Sequence, residues 1–380
     1  MVNNAAATLG SRVRDARKRA NLKQDELASA VGLDRTALNK IESGVRKVTA
    51  LELSDIANAL ELRMSAFFED PPPAIVAHRS SQGLDTADSQ IDAALASLAG
   101  EVEFLQSLGV EELQFPGLER VENANISTPE TVADAEQLAF RARQLMDLPP
   151  DEPLTDLVEN VAGLGLLAFS RDIGIDTADA GTILLRHGGV CFVNSHMKVG
   201  RRRLALSHEL GHYLIADDYT IDWRVGDPSG HAASIESRID RFARSLLLPN
   251  TAVSKLWRLY SGASGERAAA IRLASEFRVD MATLARRLRE LGVVDGDSES
   301  LVRNTRTTRA DILEMDLRIP LEELEGASVP RAYALGVIRL LRDERISRER
   351  ALDLLQGTFT DADLPGNRKR RADEIWTFVS

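Results

Sequence analysis

The sequence predicts a multidomain, mainly α protein in which helical regions flank one α+β domain. Three observations carry this. Apolar residues recur at helical spacing through 1–70 and again from 234 to the end. Strand-like segments occur only in the middle of the chain, between 164 and 194. Prolines punctuate the pattern in "EDPPPA" (69–74) and at Pro149 and Pro150, where a helix cannot continue.

The 380 residues exceed one ordinary domain. We divide them into a helical domain over 1–70, a linker with its own helix over 71–130, an α+β domain over 131–292 and a helical region over 293–380. A hydrophobic content of 44% and a charged content of 28% fit a soluble globular chain. The net charge of −11 excludes a protein that coats nucleic acid with its whole surface, so any basic region is local. The single cysteine, Cys191, excludes an internal disulfide and fits a reducing compartment. The N-terminus lacks the apolar core of a signal peptide, and no run approaches the ~18 apolar residues of a membrane helix. The expectation is a cytoplasmic protein with no membrane partner.

The first helix is expected over about 9–20 and the second from Gln24 to Val31. Gly32 makes the turn, and Asp34 caps a third helix over 35–43. Leu27, Ala28, Val31, Leu33, Leu38 and Ile41 supply one small core. Two helices joined by a tight glycine turn form a helix-turn-helix unit. Within 9–48, ten basic residues stand against five acidic ones, a local +5 inside a chain of −11. A helical dimerisation or docking module with a solvated basic face is the plainer alternative.

The segments "LKQDELA", "VGLDRTALNKIESG" and "RKVTAL" resemble the phage-repressor-like (Xre) helix-turn-helix family. The resemblance covers the whole N-terminal domain; Lys23 departs from it, standing where the family has a Ser or Thr cap. It implies a recognition helix whose Arg35, Thr36, Asn39 and Lys40 face base edges. Arg can then pair with guanine and Asn with adenine. Gln24, Arg46 and Lys47 would contact phosphates. The implied partner is a double-stranded DNA operator, bound by a homodimer.

Between 75 and 130 a polar stretch precedes the helical "IDAALASLAGEVEFLQSL". A long helix follows in "PETVADAEQLAFRARQLMDL". Next comes "PLTDLVENVAGLGLLAFSR", a helix then a strand, and "GTILLRHGGVCFVNS", two short strands joined by Gly188 and Gly189.

"RRRLALSHELGHYLIADD" (201–218) holds His208-Glu209-Leu210-Gly211-His212. Residues four apart share one helix face, so both imidazoles can bind one metal ion. Glu209 is rotated about 100° from His208 and can reach a metal-activated water without ligating. Leu206, Leu210, Tyr213 and Leu214 form the apolar stripe of a core-facing helix. Gly211 in mid-helix costs about 1 kcal/mol relative to Ala, which points to close approach of another backbone or a ligand, or to packing alone. A catalytic zinc site needs a third protein ligand. "SIESRIDRFARSLLLP" (234–249) offers Glu236 and Asp240, four apart beside a stripe of Ile235, Ile239, Phe242 and Leu246. On spacing alone either could serve, or either could face the arginines at 238, 241 and 244.

These two motifs together resemble the ImmA/IrrE family of metallopeptidases, over roughly 131–290. The family's second helix reads E-x-x-A-N-x-F-A-x-x-L-L-x-P, and its first glutamate maps onto Glu236. Ile239-Asp240 stands where the family has Ala-Asn, and Ala216 where many members carry a histidine. The resemblance implies a zincin-like domain with zinc, or manganese, held by His208, His212 and Glu236. Glu209 would be the catalytic base of an endopeptidase. Tyr213, Tyr219, His231 and Tyr260 are candidate oxyanion donors.

Segment 329–365 reads as two helices, the second capped by Ser347, and resembles a stretch that follows the peptidase domain in some long relatives. A hairpin that senses, docks or dimerises fits it better than a second DNA reader, despite the basic "NRKRR" (367–371). The expected whole is a regulator whose peptidase cleaves a partner repressor or antitoxin-like protein in a stress or mobile-element response. The rivals are a transcription factor whose peptidase-like domain only senses a ligand or metal, and an antitoxin-type regulator.

Overall fold

The computed structural model describes residues 22–60, 64–67, 77–79, 88–115, 126–175, 179–215, 231–317 and 323–366, with single positions in 9–17 and at 121 and 124. Packing divides the chain into two units, Met1–Ala74 and Ile75–Ser380.

The described residues of the first unit form helices and their connections. Its helices are α1 (Gln24–Ala30), α2 (Arg35–Glu42) and α3 (Ala50–Ala59). Gly32, at φ +67°, makes the turn between α1 and α2 in a backbone conformation that side chains disfavour. The Asp34 carboxylate accepts from Ala37 N at 2.7 Å and starts α2 as expected. Lys23 has no oxygen to cap α1, so the Glu26 carboxylate accepts the Lys23 N–H at 2.7 Å instead. Val13, Leu27, Leu38, Leu53, Ile56 and Phe67 fill one small core.

The second unit is built around a four-stranded sheet of order β1-β3-β4-β2. The strands are β1 (Ala77–Arg79), β2 (Leu166–Arg171), β3 (Ala180–Leu184) and β4 (Gly189–Asn194). β2 and β4 run parallel, whereas the β3–β4 and β1–β3 pairs are antiparallel. The helices in chain order are α4 (Asp88–Ser107), α5 (Val132–Leu145), α6 (Leu157–Gly163), α7 (Val199–Leu214), α8 (His231–Leu247) and α9 (Asn250–Phe277, broken at Gly265). They continue with α10 (Met281–Glu290), α11 (Gly296–Asn304), α12 (Arg309–Glu314), α13 (Arg331–Arg342) and α14 (Arg348–Leu354).

Side-chain alternation gives the sheet two apolar faces. Leu166, Ala168, Cys191 and Val193 join one core with α5 to α11. Leu167, Phe169, Ile183, Val190 and Phe192 join a second with α4, α13 and α14. A sheet apolar on both sides needs a cover on each. This changes the expected domain plan. The stretch read as a linker contributes an edge strand, and its helix α4 buries Ile91, Leu95, Leu98 and Val102 against the sheet. The C-terminal helices cover the same face, with Tyr333 edge-on to Phe169 at 5.0 Å between ring centroids. Ser328 extends the far side of β2 through paired backbone hydrogen bonds to Ser170 of 3.0 and 2.9 Å. Among the described residues, the first of these cores runs on past 292 to Val302 and Leu324, and the second joins 91–115 to 333–364. Ser347 caps α14 as expected, accepting from Arg350 N at 3.1 Å. The basic run 367–371 lies outside the described residues.

Candidate metal centre and candidate nucleic-acid interface

α7 lies under the sheet and is buried along almost its whole length, from Arg202 to Leu214 with one partial exception at Leu204. Its partner is α8. Gly211 lets them meet, because a Cβ there would lie 2.9 Å from both Ile239 Cγ2 and Phe242 Cδ1. The glycine and the bulky Ile239 therefore answer one another across the helix pair.

That close packing brings three donor atoms together. His208 Nε2 and His212 Nε2 are 3.0 Å apart. Glu236 reaches His208 Nε2 at 3.1 Å and His212 Nε2 at 3.4 Å. A tetrahedral ion with bonds of about 2.0–2.1 Å sets its ligand atoms about 3.3 Å apart. The donor set and its spacing fit such an ion, and His208, His212 and Glu236 could hold one. Asp240 takes a different place. Its Oδ1 lies 2.9 Å from His208 Nδ1, on the far side of the ring. Of the neighbouring arginines, Arg238 turns to the Pro129 carbonyl and Arg241 to Glu136, whereas Arg244 donates to Glu290 and also lies 3.9 Å from Asp240.

The electrostatics follow. Burial opposes charge on the Glu236 carboxylate, but the two imidazoles outweigh it and hold the group well below its ordinary range. Burial likewise opposes a charged His208, yet Asp240 and Glu236 push the ring up to about 10. Glu209 is fully buried, and among the described residues neither carboxylate oxygen closes a hydrogen bond of normal geometry. Thr182 Oγ1 lies beside it without closing a hydrogen bond of normal geometry. Burial pushes the Glu209 carboxyl up, and the two imidazoles offset this only in part.

In the first unit, Arg35, Thr36, Asn39 and Lys40 are exposed on α2, and Lys47 is exposed beyond it. Arg46 is partly covered, with Nη2 donating to Glu52 at 2.6 Å. Gln24 is half-buried at the start of α1. Its amide nitrogen faces inward, donating to Glu42 Oε2 at 2.8 Å and to Asn39 Oδ1 at 3.3 Å. Glu42 is itself gripped by the buried Arg17, at 2.6 and 3.0 Å.

Residues 13–67 match the family model described as Helix-turn-helix, and 171–289 match a peptidase-family model described as IrrE N-terminal-like domain. The chain is a fusion of these two domains. The helix-turn-helix part is 38% identical over 68 residues to an uncharacterized HTH-type transcriptional regulator, y4wC, of Sinorhizobium fredii, covering 18% of this chain and 48% of that one. It is 35% identical over 69 residues to an uncharacterized transcriptional regulator in the ATPase CF(0) region of Rhodospirillum rubrum, covering 18% and 64%. The chain thus spans about half the length of the first of these relatives. The crystal structure of Bacillus thuringiensis PlcR with the peptide PapR7 and DNA aligns over 92% of each chain at 11% identity, but its TM-score of 0.18 carries no weight for fold or function. Among the described residues of the IrrE-like part, two proposed oxyanion donors are engaged elsewhere. Tyr213 donates to the Leu164 carbonyl at 2.9 Å, and Tyr260 to Glu276 at 3.2 Å. Tyr219 and the His231 side chain lie outside the described residues. No described helix is long and apolar enough to cross a membrane.

Proposed function

We propose that the protein is a DNA-binding transcriptional regulator whose IrrE-like domain is a zinc-dependent endopeptidase. Its substrate is a partner repressor or antitoxin-like protein, and its cleavage relieves repression. Exposed Arg35, Thr36, Asn39 and Lys40 on a basic helix-turn-helix unit support the DNA part. The single observation that carries the enzymatic part is Glu209. A carboxyl fully buried beside the two imidazoles and Thr182 costs stability, and a site built only to bind a ligand gains nothing from it.

His208, His212 and Glu236 would hold the ion, zinc or alternatively manganese. A bound ion of this kind supplies Lewis acidity that makes water nucleophilic near neutral pH. Asp240 accepts the His208 Nδ1 proton and so turns the Nε2 lone pair to the site. Glu209 accepts a proton from the attacking water and returns it to the leaving peptide nitrogen.

Glu209→Gln in the full chain tests this. Metal content and DNA binding should persist, while partner cleavage should fall about 10²–10⁴-fold and derepression should stop. Unchanged partner levels and regulation would instead make the domain a sensor.

A further inference from the structure

We infer that Thr182 is a positioning residue for Glu209: its hydroxyl donates to one carboxyl oxygen and leaves the other for proton transfer. This rests on the peptidase reading above. The pattern of β3 carries the first part. Side chains alternate along a strand, and Ile183 joins the second core, so Ala180 and Thr182 face the other way, toward α7. The register agrees. Thr182 pairs with Cys191 and Ala180 with Val193, and Ala180, Cys191 and Val193 all belong to the first core. Two hydroxyls interrupt this apolar face. Ser170, on β2, is satisfied by Ser328 Oγ at 2.7 Å and by the Gly326 carbonyl at 3.1 Å. Thr182 is fully buried, and among the described residues its Oγ1 closes no hydrogen bond of normal geometry.

Two side chains adjoin that hydroxyl: the Glu209 carboxyl from α7 and the Cys191 thiol from β4. Thr182 and Glu209 are thus neighbouring buried polar groups, and each left unpaired costs about as much as a lost hydrogen bond. Their chemistry is complementary. A hydroxyl supplies one donor, and a carboxyl accepts in either protonation state, whereas a thiol sulfur accepts only weakly. The terminal torsion of a glutamate is soft. A donor fixed on a buried strand removes that freedom from a base carried on a buried helix, so the second oxygen keeps one heading.

Thermal melts of the zinc-loaded full chain test the pair without any substrate. Thr182→Val keeps the shape and removes the donor. It should lower the melting temperature by about 2–6 °C in the otherwise wild-type chain. In Glu209→Leu, where no acceptor remains, the same change should leave the melting temperature unchanged or raise it. A loss of equal size in both backgrounds means that Thr182 serves Cys191 or packing alone, and overturns the inference. Cleavage of a peptide pool from a digested bacterial proteome, with new termini counted by mass spectrometry, tests the consequence. Thr182→Val should cut the rate about 10- to 100-fold at unchanged zinc content. Thr182→Ser, which keeps the donor, should stay within about threefold of wild type. A Val variant as fast as wild type, or a Ser variant as slow as Val, overturns the positioning role. If Thr182→Val does not fold, Thr182→Ala against Thr182→Ser decides both arms, because those two differ only in the hydroxyl. A wild-type chain that cuts nothing in the pool, while the melts still show the pair, overturns the peptidase reading and with it the part of Thr182 in catalysis, but not the hydrogen bond.

Discussion

Asp240 and Glu236 hold opposite edges of the same imidazole: Asp240 Oδ1 lies 2.9 Å from His208 Nδ1, and Glu236 Oε2 lies 3.1 Å from His208 Nε2. The two carboxylates sit one turn apart on α8, so one helix face both supplies a ligand and orients its neighbour. Asp240→Ala should lower metal affinity about 10–100-fold, and Asp240→Asn, which can still accept from Nδ1, should lower it less. A chelator-competition titration measures this. Equal affinity in wild type and Asp240→Ala would remove the orienting role.

Gly211 sets the spacing of the helices that carry the site. Gly211→Ala places a Cβ 2.9 Å from two side chains of α8, so the helices must part. The expected cost is about 1–3 kcal/mol of stability, with a loss of metal affinity beside it. Ile239→Ala in the same chain should recover part of both. Thermal melts and metal content of the two variants check it, and a single substitution as stable as wild type would count against this packing.

Acid should loosen the frame around α8 before it unfolds everything else. Glu136 on α5 is bridged to the buried Arg287 of α10 at 2.8 Å and to Arg241 of α8 at 2.6 Å. Burial opposes its charge, but the two guanidinium groups outweigh it and hold the carboxyl at about 2, against 4.5 ordinarily. A depressed carboxyl stabilises above its unfolded value and loses that contribution as pH falls through its folded one. Stability on the order of 3 kcal/mol should therefore be present above pH ~4.5 and drain away toward pH ~2. Urea midpoints of wild type and Glu136→Gln should differ at pH 7 and converge toward pH 2.5.

The C-terminal helices should not be separable. A chain ending at 325 loses the Ser328 strand contact and the helices that bury Phe169, Val190 and Phe192. It should melt well below the full chain and bind a hydrophobic dye. A truncated protein with an unshifted melting curve would restore the view of 293–380 as an appended region.

What could be read from sequence was local. His208, Glu209 and His212 lie within one and a half turns, so helical periodicity alone places them. Asp34 and Ser347 act within three residues of themselves. Spacing alone left Glu236 and Asp240 open, because both flank the same apolar stripe, and it was the family motif, not periodicity, that named Glu236. β1 escaped because three residues, Ala77–Arg79, are too few to show an alternation. The helices α4, α13 and α14 announced themselves by their stripes, but a stripe does not say which surface will cover it. The contact of Gln24 with Glu42 was not legible either, because the two are eighteen residues apart in the chain.

The shared sheet bears on how this protein can be taken apart. The matched peptidase-family segment begins at 171, the last residue of β2. A gene fragment trimmed to that match would keep His208, Glu209, His212 and Glu236 and yet lack the strand beside β4. It would also strip the roof of α4, α13 and α14 from Ile183, Val190 and Phe192. The product would offer an unpaired parallel edge and a greasy underside, the two features that drive chains to stick to one another. An inactive precipitate from such a fragment would say nothing about catalysis. The smallest piece worth purifying runs from residue 75 to about 366.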